Sequence, residues 1–133
     1  MGQLGDAELS ATLAAVQPDL IVLAYGVNDG FRPDIAQRDF EDLLTTQVQR
    51  MQRLAPRADL LIAGAPEGLG RGKGPACAGS EFGAPFALGM VRDVQRQVAA
   101  RQGVAFWDWY GRMGDGVLQS GWPAVRRAGA LSR

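Results

Sequence analysis

Three short apolar runs, each closed by glycine or polar residues and separated by helix-length segments, constrain this chain more than any other feature. They are "DLIVLAYG" (19–26), "ADLLIAGAPE" (58–67) and "VAFWDW" (104–109). The first two are continuous rather than alternating, which predicts strands covered on both faces. Between the first and second, Phe40, Leu43, Leu44, Val48, Met51 and Leu54 recur at spacings of three and four, a helical stripe. Asp34 with Gln37 resembles a capping box at its start, and Pro56 ends it. Between the second and third, Pro85 suits a first helical turn, Ala87, Val91, Val94 and Val98 form the stripe, and Gly103 stands where a C-terminal cap is wanted. Upstream, Asp6 can cap a short helix through Val16 with Leu9, Leu13 and Val16 on one face, stopped by Pro18. The order helix, strand, helix, strand, helix, strand predicts an α/β fold, its parallel strands joined by right-handed crossovers.

The 133 residues fit one domain, and 47% apolar content is enough for a sizeable core. Fourteen basic residues balance fourteen acidic ones, and no Lys/Arg cluster is interleaved with aromatics, which argues against a nucleic-acid footprint or a polybasic membrane patch. No apolar run approaches the ~20 residues of a membrane span. The N-terminus "MGQLGDAELS" lacks the basic and apolar regions of a signal peptide. Cys77 is the single cysteine and has no internal disulfide partner. Residues 65–84, rich in glycine and without a period, read as a long loop, a length that in compact domains is often functional. After Tyr110 the pattern fades into loop with at most one helical turn.

In open parallel sheets ligands bind beyond the carboxyl ends of the strands. Three polar sets fall there: Asn28 with Asp29, then Glu67, then Asp108. Asp29 and Asp108 fit a ligand site and equally fit the capping of turns or helices. Asn28 is more specific, because an amide after a buried strand carries two donors that can stabilise an oxyanion. Gly26 allows the sharp backbone turn that would aim it at the cleft.

Other motifs fail on spacing. "GLGRGKG" would be a phosphate loop only with glycine at Glu67 and Ser or Thr at Gly74, and Gly68, Gly70 and Lys73 do not complete a dinucleotide fingerprint. Cys77 lacks a histidine to activate it, since the chain contains none. Asp29 and Asp34 resemble a metal-loop fragment only loosely, and turn and cap duty explains both. No cofactor or metal is expected. Trp107, Trp109 and Tyr110 either line an apolar acyl pocket or pack a core strand end.

"PDLIVLAYGVNDGF" (18–31) resembles the third block, Gly-x-Asn-Asp, of the SGNH hydrolases, the GDSL-type esterases and lipases. The order that follows, "LLIAGAPE", a Gly-rich loop, a helix and "GVAFWDWYGRMG", is similar to a bacterial branch of that family over almost the whole chain. The resemblance implies a flavodoxin-like three-layer α/β/α sandwich, with residues 1–133 forming a single partial domain of about three strands. It implies a serine ester hydrolase acting on a carboxylic ester or O-acetyl group, with a small-molecule or carbohydrate ester as substrate. Only one catalytic role transfers: Asn28 as an oxyanion donor, with Gly26 and Asp29 as its supporting turn. Gly2 is the one candidate remnant of the second block.

The departures matter as much. In "LGDAELS", Ala7 stands where the nucleophilic serine would be, and no strand precedes it. "DGVLQS" (115–120) imitates the last block, with Leu118 in the histidine position, and reads as a connecting loop with the true Asp-x-x-His expected beyond Arg133. In another triad hydrolase, loss of serine or histidine costs roughly a million-fold in turnover, so the chain as written is expected to be nearly silent. The alternative is a non-catalytic α/β module binding a carbohydrate or acyl ligand. The expected compartment is periplasmic or secreted if an N-terminal leader is missing from the segment, otherwise cytoplasmic. The family's strand order further implies a bare edge along Leu20 to Ala24.

Overall fold

A computed structural model describes residues 5–71 and 81–113. The elements run α1 (Asp6–Val16), β1 (Leu20–Leu23), α2 (Val27–Gly30), α3 (Gln37–Leu54), β2 (Asp59–Ala63), β3 (Gly70–Arg71), β4 (Phe82–Gly83), α4 (Phe86–Gln102), β5 (Ala105–Trp107) and α5 (Trp109–Met113). All three expected strands form, and they pair in parallel in the order β1-β2-β5. The sequence Gly2, Lys73, Cys77 and "DGVLQS" lies outside the described residues.

The register sets Leu23, Ile62 and Phe106 side by side, with Ile21 opposite Leu60 one pleat back. This face packs against α3 and α4, whose stripes supply Phe40, Leu44, Val48 and Met51, and Leu88, Val91, Val94 and Val98. Both stripes follow the expected periodicity, except that Leu43 is 44% exposed and that Leu88, not the half-buried Ala87, takes the core place. Because side chains alternate along a strand, Leu20, Val22 and Trp107 point to the opposite face, where they are 52%, 51% and 47% exposed. The expectation that β1 is covered on both faces therefore fails among the described residues: the helices cover one face, and β1 is an edge strand.

Three local expectations also change. The N-cap of α1 is Gly5, one residue before Asp6, and the Glu8 carboxylate accepts from the Gly5 N–H at 3.4 Å. Asp6 instead pairs with Arg50 Nε at 2.6 Å and Arg53 Nη2 at 3.5 Å, tying α1 to α3. The N-cap of α3 is Ala36, so Asp34 caps nothing and lies 3.8 Å from Arg32. Within the 65–84 stretch, β3 and β4 pair antiparallel, with Arg71 bonded to Glu81 at 2.7 Å across the ribbon. Pro85 does open α4, as its N-cap, and Gly103 ends it in the left-handed conformation at φ 66°.

Candidate functional site

The polar sets all lie beyond the carboxyl ends of β1, β2 and β5. At the end of β1 the chain turns at Gly26, whose φ of 103° and ψ of −17° are open to glycine and costly for other residues. A single helical turn, α2, follows directly and was not anticipated. The Gly30 N–H donates to the Gly26 carbonyl at 2.9 Å, and the Phe31 and Arg32 N–H groups donate to the carbonyls of Asn28 and Asp29 at 3.2 and 3.0 Å.

Asn28 occupies the second position of this turn with its side chain exposed. Among the described residues its carboxamide makes no hydrogen bond. Asp29 is half-buried, and its carboxylate pairs with no described residue.

The second polar position, Glu67, follows β2 and is half-buried. The same loop closes on α2, because Gly68 lies against the Phe31 ring so tightly that a β-carbon there would be 2.9 Å from Cε2. The loops after β1 and β2 are thus packed together at one end of the sheet.

The third position resolves toward the plainer of its two readings. The Asp108 Oδ1 accepts from the Gly111 N–H at 3.0 Å and its backbone carbonyl accepts from the Arg112 N–H, which makes it the cap of α5. Its Oδ2 also lies 3.3 Å from Arg96. Of the three aromatics considered for a pocket, Trp107 and Trp109 are 47% and 43% exposed, and Tyr110 stacks under the Arg92 guanidinium at 3.8 Å. A cavity of about 410 Å³ opens instead beside α2, lined among others by Phe31, Ile35, Phe86 and Met90 with Arg32 at its edge.

Among the described residues no three histidine, cysteine or carboxylate side chains come together as a metal site, and no helix is long and apolar enough to cross a membrane. A polar residue missed in the sequence lies directly beneath the rim. Gln95 of α4 is fully buried; its Nε2 donates to the Tyr25 carbonyl at 2.7 Å and its Oε1 accepts from the Ala65 N–H at 2.8 Å. The signal was available, since Gln95 stands four residues after Val91 inside the apolar stripe of α4.

The family model of the GDSL-like Lipase/Acylhydrolase family matches residues 2–125. The chain belongs to that family. This GDSL-like chain is similar to a solved peptidoglycan O-acetylesterase, with 32% identity and a TM-score of 0.71 over 87% of its length. It is also similar in fold to a lipase/acylhydrolase from Enterococcus faecalis, with 19% identity, a TM-score of 0.57 and 83% of the chain covered. It spans 33% and 52% of those two chains, about a third and about half of their lengths. No curated protein matches it. The mixed α/β architecture with a three-stranded parallel sheet is that of the SGNH hydrolase fold.

Proposed function

We propose that this GDSL-like chain is the oxyanion-bearing part of a serine ester hydrolase domain that cleaves carboxylic esters, with an O-acetyl group on a carbohydrate as the favoured substrate class. The observation that carries the reading is Asn28: an exposed carboxamide without a hydrogen-bond partner among the described residues, held at the end of β1 by a turn that requires Gly26. The substrate class rests on the 32% identity to a peptidoglycan O-acetylesterase. An extracytoplasmic site of action goes with that substrate.

In this reading a serine oxygen attacks the ester carbonyl, and negative charge develops on the carbonyl oxygen. An Asn28 Nδ2–H donates to that oxygen more strongly in the tetrahedral state than in the ground state, which is what lowers the barrier. The backbone of the turn is fixed by Gly26 and its own hydrogen bonds, which favours a donor held in place at the moment of reaction. Asp29 and Gly26 serve through the backbone of the turn. The cavity lined by Phe31, Phe86 and Met90 suits an apolar part of the ester.

Nucleophile and base would come from sequence that these 133 residues do not show, since the Gly-Asp is followed by Ala7 and histidine is absent. The same absence favours a second reading, a non-catalytic module that binds a carbohydrate or acyl ligand. An aryl acetate assay separates them when the 133-residue chain is compared with the product of the whole reading frame. Hydrolysis by the longer protein and none by the chain supports the esterase reading. Ligand binding without hydrolysis by either supports the module, and the absence of Gly-Asp-Ser and Asp-x-x-His blocks from the flanking DNA would remove the esterase reading.

A further inference from the structure

β1 and β2 pair only as far as Leu23 and Ile62, after which the two chains part to form the rim. The Tyr25 carbonyl and the Ala65 N–H lie two and three residues beyond that last pair, where no ladder partner remains for them. Buried backbone groups in that situation need a partner. Gln95 supplies both, its carboxamide replacing the missing rung with bonds of 2.7 and 2.8 Å. The side chain has no solvent exposure, so water does not substitute for it.

The contact continues upward into the turn. A β-carbon on Gly26 would stand 3.2 Å from Gln95 Nε2, so the backbone that carries Asn28 rests directly on the carboxamide. The carbonyl that Gln95 holds, Tyr25, belongs to the peptide unit that enters Gly26, two bonds from the φ that aims α2.

We propose that Gln95 is a positioning residue, a cross-brace that fixes the Asn28 turn of β1 against the loop leaving β2. Its catalytic consequence rests on the oxyanion role given to Asn28, whereas the brace itself does not. A methionine in its place would fill the volume but leave both backbone groups unpartnered. A glutamate would keep the acceptor for Ala65 while a carboxylate faces the Tyr25 carbonyl. When protonated, the same glutamate donates its O–H to Tyr25 and the brace is restored. Burial raises the pKa of such a carboxyl, so the charged form is read on the alkaline side of its titration and the protonated form on the acid side.

The test uses NMR on the 133-residue chain with Gln95→Glu and Gln95→Met. For Gln95→Met, and for Gln95→Glu on the alkaline side of its carboxyl titration, the expected result is displaced resonances of the Asn28 side-chain amide and the Gly26 N–H, with Ala65 exchange accelerated about tenfold or more over wild type at the same pH. In Gln95→Glu both should return to wild-type values as pH falls through that titration, whereas Gln95→Met should show no such recovery. Wild-type Asn28 and Gly26 resonances in Gln95→Met, or a displacement in Gln95→Met that acid reverses, would overturn the brace. If neither variant folds, hydrogen-bond scalar couplings in the wild-type chain decide: correlations from Gln95 Nε2 to the Tyr25 carbonyl carbon and from Ala65 N to Gln95 Cδ are expected, and their absence overturns it. In the product of the whole reading frame, Gln95→Met should lower kcat roughly tenfold to a hundredfold with KM nearly unchanged, because a misplacement of about 1 Å suffices for that. An inert Asn28→Ala beside a positive NMR result would remove the oxyanion role and leave the brace standing.

Discussion

Gly26 crosses Val91 so closely that a β-carbon added to it would stand 2.6 Å from Val91 Cγ1, and the same glycine has a φ of 103°. Strand end, turn and buried helix stripe therefore meet at one residue. Gly26→Ala combines a strained left-handed backbone with an overpacked core, each worth about 1–3 kcal/mol. Thermal unfolding should show a loss of about 2 kcal/mol or more, which for a domain of this size lowers Tm by roughly 8 °C or more. A Tm within a degree or two of wild type would show that the turn relaxes freely and is not fixed by Val91.

Asp6 supplies a pH test of how α1 is attached. The helix has no buried residue, and the hydrogen bond from Arg50, opposed by desolvation and aided by the charges of Arg50 and Arg53, holds the Asp6 carboxyl below its ordinary value of 3.8. A lowered folded pKa gives stability that is present above the ordinary pKa and lost as pH falls through the folded one. Amide exchange in α1 should therefore accelerate below about pH 4 while the core of α3 and α4 stays protected. Asp6→Asn should show the loosened helix at neutral pH and lose the acid response. An α1 equally protected at pH 3 and pH 7 would mean that Leu9 alone holds it.

The edge of β1 makes a prediction about solution behaviour. Leu20 and Val22 are about half exposed on a strand that has one side unpaired among the described residues, and Trp107 lies exposed on the same sheet face. Such an edge is a template for pairing with another chain. Sedimentation of the 133-residue chain should show concentration-dependent association, and Val22→Lys should shift it toward monomer with little change in Tm. A wild-type chain that sediments as a monomer at all concentrations would contradict this.

Much of the architecture was legible because it rests on strong local signals. The three strands and the two long helices are written in runs and stripes whose periods differ, and Gly103 marks its cap unambiguously. What failed depended on residues far away in sequence. Whether β1 is covered on one face or two is decided by what packs on it, and the apolar run Leu20–Leu23 reads the same in either case. The caps moved to Gly5 and Ala36 because Asp6 is drawn to Arg50, across 44 residues, and because the chain stays extended at Ala36, two residues past Asp34. Asp108 was correctly placed at the rim, yet its neighbours Gly111 and Arg96 occupy its carboxylate. Asn28 is legible from its position after a strand, whereas Gln95, a polar residue within an apolar stripe, reads in the sequence as an interruption, and its two partners lie 30 and 70 residues away.

Asn28 carries the proposed chemistry, and two readouts on one substitution test it. An exposed side chain without a described partner predicts that Asn28→Ala changes stability by no more than about 0.5 kcal/mol. The measurement that decides is kcat for aryl acetate hydrolysis by the whole-frame protein with and without Asn28→Ala. The oxyanion role predicts a fall of about 10²–10³ with KM little changed; a kcat equal to wild type in a folded variant would contradict it.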